Sequence, residues 1–430
     1  MARAEHRLRA RAAARGGIVA ALDIGCSKIA CLIARQTPDT PGGFEFLGGG
    51  RQQSRGFTGG AITDLDGLER AVRLAVEDAE RQAGERIEHV TLGVAGPTVD
   101  SRLVAAGVEI GGRQVTAKDV DRVQTAALAK AADKSKIVLS AHVVAYRIDG
   151  QEGVRDPRGM HADKLGVLIS VVSAPKSLVR NFEECLGRAH LGVEGLAPAA
   201  IASGVGALIE DERDNGAICI DMGAGVTSIA VFLNGAPAWI GFAPSGGGRV
   251  TADIAQGLGT TFAAAERLKT VCGTVDFDGP GSAERIEAPR LGDDGRLETA
   301  KLPRKDLARV IAPRVEETLE LVRDRLEASA LRKVLPRRSV LTGGASQIPG
   351  LRDLAASTLG MPVRIGRPAA AEILGESFAS PAFSTASGLL AYRSLGLFDA
   401  SRAGAASLIG GGRAGGGLVN GTYRWLKENF

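Results

Sequence analysis

Two segments of the sequence place an aspartate, a glycine and small polar residues in the same order after an apolar run. The first, Gly17–Arg35, reads GIVAALDIGCSKIACLIAR, and the second, Gly216–Leu233, reads GAICIDMGAGVTSIAVFL. Glycine lets a backbone approach a ligand and present N–H groups, and the hydroxyls of Ser27 and Thr227 are further donors to phosphate. Aspartate holds a hydrated Mg²⁺ that bridges phosphates. The pattern is therefore typical of a phosphate-binding turn.

The two segments lie nearly half a chain length apart in a sequence of 430 residues. A repeat at that distance predicts two related halves, each opening with a strand–turn–strand hairpin. Lys28 follows the first turn and offers a point charge to a phosphate chain. One such turn has an ordinary structural explanation, and the pairing is what favours phosphate binding. Because ligands favour the crevice between domains, we expect a ligand between the halves.

Two further glycine turns precede predicted helices. Gly343-Gly344 follows the apolar run Val340–Thr342 and comes before a helix that begins near Ile348 or Leu351. A glycine pair there can lie flat against a base or ribose, and Gly247 within Gly246–Arg249 is interpreted in the same way. Taken alone, each is equally consistent with an ordinary strand-to-helix connection.

Hydrophobic periodicity predicts the elements that position these turns. We expect helices at 64–83, capped by Asp64 or Asp66, and at 117–132, 252–271 and 304–329, with buried strands at 89–94 and 165–172. The region 273–301 reads as loops or a small sheet. The predicted organisation is a basic disordered tail (1–16), a first domain (17–84 and 164–215) interrupted by a small α+β subdomain (85–163), and a second domain (216–396) with a smaller subdomain at about 270–330.

The end of the chain predicts a tethered amphipathic helix. A Gly-rich linker spans 397–417, and residues 418–430 read LVNGTYRWLKENF. On a helical wheel the apolar residues fall on one side, where Trp and Phe beside basic residues favour a membrane interface: Leu418, Val419, Tyr423, Trp425, Leu426 and Phe430. The alternative is a helix docked on the protein core, against which the flexible linker argues.

Composition excludes several classes of protein. Lys plus Arg total 53 and Asp plus Glu total 49, so the chain lacks the basic excess of a nucleic-acid binder. The five cysteines form no CxxC and the five histidines no local cluster, which disfavours a zinc site or a disulfide framework. No uncharged apolar run reaches the roughly 18 residues that span a bilayer.

Six short stretches, in this order and spacing, resemble the FtsA family of bacterial cell-division homologues of actin. They are SRG at 54–56, EDER at 210–213, IDMGAGVTSIAVF at 220–232, AERLK at 265–269, LTGGASQIPG at 341–350 and FSTASGLL at 383–390. The resemblance runs from about residue 17 to the end of the chain. It implies an α/β, actin-like (ribonuclease-H-like, duplicated) two-domain fold with an inserted small subdomain.

The resemblance also implies ATP with Mg²⁺ between the two halves. Asp23 and Asp221 would hold the water shell of the metal. The first phosphate loop would be Gly25, Cys26, Ser27 and Lys28, and the second Asp221, Gly223, Ala224, Gly225 and Thr227. Positions near the ribose and base would be Glu266, Lys269, Gly343, Gly344 and Ile348.

The function that the resemblance implies is anchoring. Family members bind the C-terminal tail of the tubulin-like FtsZ, polymerise on the cytoplasmic face of the inner membrane at the septum, and recruit later division proteins. The FtsZ-binding surface would lie within about 270–330, with no residues assigned. Actin-like ATPases orient the attacking water with Gln, Glu or Asp near the first interdomain crossing. Residues 196–209 contain none of these, so we expect slow hydrolysis or none.

Three alternatives are distinguished by sequence features. A soluble small-molecule kinase of the same fold needs a catalytic aspartate in the cleft and leaves the amphipathic tail unexplained. A chaperone of the seventy-kilodalton heat-shock class needs a large domain after the second half. The actin-like ATPase of type IV pilus assembly shares an inserted subdomain but does not need a tethered tail.

Overall fold

The structure is a computed structural model that describes residues 17–37, 43–279, 281–292 and 297–394. The predicted basic tail (1–16), the linker (397–417) and the amphipathic helix (418–430), with its six apolar residues, lie outside the described residues.

The first half is built on a five-stranded sheet with the order β11-β6-β1-β2-β3. The apolar runs on either side of Asp23-Ile24-Gly25 form the predicted antiparallel hairpin, in which Asp23 lies opposite Ala30. Strands β6 and β11 add in parallel to β1. The strands are β1 (Ile18–Ile24), β2 (Lys28–Gln36), β3 (Phe44–Gln53), β6 (His89–Val94) and β11 (Gly192–Pro198). A two-stranded hairpin, β4 (Phe57–Thr58) and β5 (Ala61–Ile62), follows β3.

The second half repeats this arrangement in a sheet with the order β14-β13-β12-β17-β18. Again a three-stranded antiparallel meander leads and two strands add in parallel to its first member. The strands are β12 (Ala217–Met222), β13 (Thr227–Leu233), β14 (Ala236–Ala243), β17 (Ser339–Thr342) and β18 (Val363–Ile365). The predicted duplication is thus confirmed at the level of sheet topology.

The inserted subdomain is a four-stranded antiparallel sheet, β7-β10-β8-β9, with one helix. Its bounds differ from the predicted 85–163 at both ends, because β6 pairs with β1 of the first half and β10 pairs with β7 and β8. By sheet pairing it spans Asp100 to Pro175. Its elements are β7 (Asp100–Glu109), α2 (Ala117–Ala131), β8 (Lys136–Ile148), β9 (Gln151–Val154) and β10 (Lys164–Pro175).

The structure confirms the helices predicted from periodicity with one exception and adds helices that were not predicted. Helix α1 (Leu65–Ala83) is capped by Asp64, whose carboxylate accepts from the N–H of Gly67 at 3.1 Å. The segment expected as one helix at 252–271 is two, because Gly259 adopts a left-handed conformation and Thr261 caps a new start. The remaining helices are α3 (Lys176–Arg188), α4 (Ala199–Ala207), α5 (Glu210–Asn215), α6 (Gly247–Leu258), α7 (Phe262–Cys272), α8 (Arg304–Glu327), α9 (Leu351–Leu359), α10 (Ala371–Leu374) and α11 (Ser384–Ser394).

The region predicted as loops or a small sheet contains an antiparallel hairpin, β15 (Arg285–Leu291) and β16 (Leu297–Pro303). Among the residues that the structure describes, no helix combines the length and apolarity needed to cross a bilayer.

Helices α4 and α11 form the layer between the two main sheets. Helix α4 packs on β12 and β13, α11 packs on β1 and β2, and the two helices pack on each other. Glycines bring their backbones close: a Cβ on Gly206 would meet the carbonyl oxygen of Ser384, and one on Gly388 that of Ala202. Small residues therefore fix the contact between the halves, and the cleft opens at one end of this layer.

Candidate functional site

The turns of the two duplicated hairpins face one cleft, with a cavity of about 460 Å³. Its walls contain all but one of the residues predicted for the nucleotide and its metal: Asp23, Gly25, Cys26, Ser27, Lys28, Asp221, Gly223, Ala224, Gly225, Gly247, Glu266, Lys269, Gly343, Gly344 and Ile348. These residues come from five separate parts of the sequence. The fold therefore brings together the groups that the motifs singled out.

Thr227 is the exception. It is fully buried, and its hydroxyl donates to the carbonyl oxygen of Ser245 at 2.8 Å. The next residue on the strand, Ser228, lines the cleft instead. Because successive side chains of a strand point to opposite faces, the hydroxyl available to a ligand is one position later than predicted.

The two turns share the same local geometry and touch each other. In the first, the N–H of Gly25 donates to the carbonyl of Lys28 at 3.0 Å, and in the second, that of Gly223 donates to the carbonyl of Val226 at 3.1 Å. A Cβ on Gly225 would lie 2.5 Å from Sγ of Cys26. Glycine is required at 225 because the two turns meet there.

The N-terminus of α6 closes the second turn from behind. The N–H groups of Gly247 and Gly248 donate to the carbonyls of Gly223 and Ala224 at 2.9 and 2.8 Å. A Cβ on Gly246 would lie 2.5 Å from the Gly223 oxygen. The glycine run therefore seats the positive end of the helix dipole directly against the turn, where it favours an anion.

Three charged side chains lie partly buried at the base of the cleft. Burial raises the pKa of Asp23 to about 6, with Lys28 acting in the opposite direction and Asp221 adding to the rise. Burial likewise raises the pKa of Asp221 and lowers that of Lys28, against the attraction of both aspartates. The pair of carboxylates is thus short of positive charge, which a divalent cation supplies.

Lys28 is bound to the segment that precedes α11. Its ammonium donates to the carbonyl of Ala382 and lies 4.6 Å from the ring centroid of Phe383. A phosphate chain in the cleft would compete with that carbonyl for the same donor.

A second polar cluster lies at the other end of the cleft. Nζ of Lys269 donates to the carbonyl of Gly247 at 3.0 Å, to the hydroxyl of Thr251 at 2.8 Å and to the carboxylate of Glu266 at 2.6 Å. The Thr251 hydroxyl also donates to Glu266. These bonds hold α7 against the start of α6 and leave the carboxylate of Glu266 about half exposed, with 48% of its side chain accessible.

Asp221 has two close neighbours, of which the sequence analysis assigned only Gly343 to the site. A Cβ on Gly343, which has φ 86°, would strike Oδ1 of Asp221, and the hydroxyl of Thr385 donates to Oδ2 at 2.9 Å. Gly343 was predicted to contact a nucleoside, whereas Thr385 lies in the stretch FSTASGLL, which served only as a family resemblance. The motif that contains Thr385 was therefore visible in the sequence, but nothing in it indicated that Thr385 contacts Asp221.

The donor set fits a nucleoside triphosphate with Mg²⁺. Carboxylates are the hard oxygen ligands that Mg²⁺ prefers, and glycine turns and a lysine suit phosphate. In the described part of the chain, no group of three or more His, Cys, Asp or Glu side chains is arranged to hold a metal ion. A divalent cation at the two aspartates would therefore need phosphate and water as further ligands, as hydrated Mg²⁺ does.

Comparison with known proteins agrees with this geometry. A family profile described as "Cell division protein FtsA" matches residues 218–388, and one described as "SHS2 domain inserted in FTSA" matches residues 96–173. The second match corresponds closely to the subdomain that the sheet pairing delimits.

Curated relatives match over almost the whole chain. The cell division protein FtsA of Agrobacterium fabrum is 39% identical, over 99% of this chain and 97% of that protein. The Neisseria meningitidis protein of the same name is 35% identical over 96% and 98%, and that of Escherichia coli 33% over 87% and 90%.

Solved structures show the fold. A chain of the PilM-PilN type IV pilus biogenesis complex superposes with a TM-score of 0.61 at 17% identity, covering 88% of this chain and 98% of that one. MreB5 of Spiroplasma citri, in a structure bound to AMPPNP, gives 0.50 at 13% identity, covering 88% and 96%. The predicted fold class is thus confirmed as actin-like, with the insertion.

Proposed function

The chain belongs to the FtsA family of cell division proteins, and from that premise we propose that it is a nucleotide-binding adaptor of the division septum. It binds ATP with Mg²⁺ in the cleft and polymerises head to tail on the cytoplasmic face of the inner membrane. There it anchors FtsZ through the FtsZ C-terminal tail and recruits later division proteins.

The observation that carries the nucleotide site is the meeting of two Asp-x-Gly turns across one cleft. Asp23 and Asp221 would hold the water shell of Mg²⁺, which when bound neutralises the charge of the triphosphate. Gly25, Gly225 and Lys28 line the same space, where the two glycines would let phosphate approach the backbone closely and the ammonium of Lys28 would bind phosphate oxygens. The nucleoside would lie toward the other end, against Gly343, Gly344, Ile348, Glu266 and Lys269.

Hydrolysis is expected to be slow. Helix α4 begins at Ala199, which lines the cleft, and residues 196–209 offer no carboxylate or amide to orient a water molecule. We infer that the nucleotide acts as a ligand that favours the closed cleft and the polymer, more than as a substrate.

Membrane attachment is assigned to residues 418–430. One short amphipathic segment binds lipid weakly, and a polymer that presents many copies gains avidity without any new contact. The Gly-rich linker gives each copy the freedom to reach the surface. ATP would therefore strengthen membrane binding by promoting the polymer.

The experiment is flotation with liposomes that contain anionic lipid, with and without ATP and Mg²⁺. The full chain is expected to float, more so with ATP, and a truncation ending at Gly417 is expected to stay in solution. As a matched pair, Leu426→Gln should weaken flotation, while Asn420→Gln, which leaves the six apolar residues unchanged, should not.

Two outcomes would contradict the proposal. If full chain and truncation both stay in solution, residues 418–430 are not an anchor, and the pilus-type ATPase or the soluble kinase gains support. If both float equally, another surface binds the lipid.

A further inference from the structure

Thr385 joins the proposed metal site to the helix layer between the two halves. It lies in the first turn of α11, is 7% exposed and lines the cleft. Its hydroxyl donates to Oδ2 of Asp221 at 2.9 Å, across 164 residues of sequence. Asp221 ends strand β12 of the second half, whereas α11 packs on β1 and β2 of the first. The bond therefore spans the boundary between the halves.

The start of α11 is held in place on two sides. Toward the second half, the hydroxyl of Thr342 donates to that of Ser384 at 2.7 Å, and the N–H of Gly343 donates to the carbonyl of Pro381 at 3.1 Å. Within the helix layer, Gly206 and Gly388 allow α11 to pack closely against α4, as described above. A hydroxyl on so constrained a backbone fixes the acceptor that it binds.

The carboxylate of Asp221 is correspondingly restricted. Oδ1 packs against Gly343, where a Cβ would clash with it, and Oδ2 accepts a hydrogen bond from the hydroxyl of Thr385. A hydroxyl that donates to one oxygen of a carboxylate fixes the direction in which the group presents its remaining lone pairs, as hydrogen bonds to metal-binding carboxylates do.

We propose that Thr385 is a positioning residue for Mg²⁺-dependent nucleotide binding, because its hydroxyl fixes the orientation of the Asp221 carboxylate in the cleft. The inference rests on the proposed function and adds to it a residue outside the two phosphate turns. It also makes α11, the last described helix before the predicted linker, part of the metal site.

The test measures two quantities with a fluorescent ATP analogue and the full chain. One is the Mg²⁺ concentration that gives half-maximal binding at fixed nucleotide, and the other is the nucleotide affinity in EDTA. Thr385→Val keeps the shape and removes the hydroxyl, Thr385→Ser keeps the hydroxyl, and Ser384→Ala perturbs the same helix start without touching Asp221. A merely structural role would weaken binding in EDTA as much as in Mg²⁺.

The expected result is selective. Thr385→Val should raise the half-maximal Mg²⁺ concentration by about tenfold, since a hydrogen bond to a charged group is worth at least that factor, and leave the affinity in EDTA unchanged. Thr385→Ser should stay near wild type, and Ser384→Ala, which loosens the same helix start but keeps the hydroxyl of Thr385, should change the affinities with and without Mg²⁺ by equal factors. If Thr385→Val does not fold, Thr385→Ala removes the same hydroxyl and adds no atom.

Three results would overturn the inference alone: an unchanged Mg²⁺ requirement in Thr385→Val, an equal loss of affinity with and without Mg²⁺, or failure of Thr385→Ser to behave as wild type. If the wild-type chain itself shows no Mg²⁺-dependent binding of ATP, the proposed function fails and the inference falls with it.

Discussion

The small hairpin of β4 and β5 offers a sharp test of how the cleft is connected to the inserted subdomain. Its turn consists of two adjacent glycines, Gly59 with φ 60° and Gly60 with φ 85°. A Cβ on Gly60 would lie 2.6 Å from Cα of Gly96 and 2.9 Å from Cδ of Pro97, immediately before the subdomain. A Cβ on Gly59 would meet nothing within 4 Å. The two positions share a backbone conformation and differ in their surroundings.

This difference allows the cost of the contact to be isolated. Alanine in the left-handed region costs roughly 1–2 kcal/mol at either position. Gly60→Ala must in addition force apart two stretches of backbone, and overpacking of that kind costs roughly 1–3 kcal/mol more. We therefore expect Gly60→Ala to lower the free energy of unfolding by about 2 kcal/mol more than Gly59→Ala does.

Urea unfolding of the full chain, followed by circular dichroism, measures the difference as a shift in midpoint at constant slope. Equal midpoints for the two variants would refute the reasoning, because the shared backbone strain would then account for the whole effect. A lower midpoint for Gly59→Ala than for Gly60→Ala would show that the contact of residue 60 with Gly96 and Pro97 is not the larger source of destabilisation.

Two more predictions concern buried charge. Burial lowers the pKa of His142 on β8 from 6.5 to about 4. The folded state thus binds this proton more weakly than the unfolded state, and the resulting stability is complete above pH 6.5 and lost as the pH falls toward 4. Between pH 7.5 and pH 5 the wild type should lose about 2 kcal/mol more than His142→Gln, and equal losses in urea titrations at the two pH values would contradict this. Glu212, 4% exposed, accepts from Nε of Arg364 at 2.7 Å and from its terminal nitrogen. Arg364→Met should cost roughly 1–3 kcal/mol because the buried carboxylate loses its charged partner and keeps only the N–H of Ile209 among its described donors, and Glu212→Gln in that background should recover part of the loss. Thermal unfolding of the single and double variants tests this expectation, and a melting temperature of Arg364→Met equal to that of the wild type would contradict it.

Local sequence patterns predicted most of the nucleotide site. Each Asp-x-Gly turn is flanked by apolar runs that only a hairpin buries well, so its place at a strand end follows from the chain nearby. The glycine run at 246–248 and the glycine pair at 343–344 could also be predicted as close contacts, because few residues other than glycine allow a backbone to approach so closely. The same logic does not fix side-chain direction, as Thr227 shows: an offset of one residue in the turn decides which hydroxyl faces the cleft.

Pairing between distant strands was harder to predict. Strand β10 reads as an apolar run whether it belongs to the first half or to the inserted sheet, so periodicity alone could not place the boundary after residue 175. The break at Gly259 depended on one left-handed residue within an otherwise helical pattern. The bond from Thr385 to Asp221 joins two positions that have no local relation in the sequence.

The position of α11 has a consequence for how the chain is made. Its residues Ala386, Leu389, Leu390 and Tyr392 belong to the core cluster that also contains Leu22 and other residues from the strands of the first half. During synthesis that core therefore stays incomplete until residues 384–394 have left the ribosome. The first half cannot complete its core before the second half has been made, so apolar surface stays exposed over that interval.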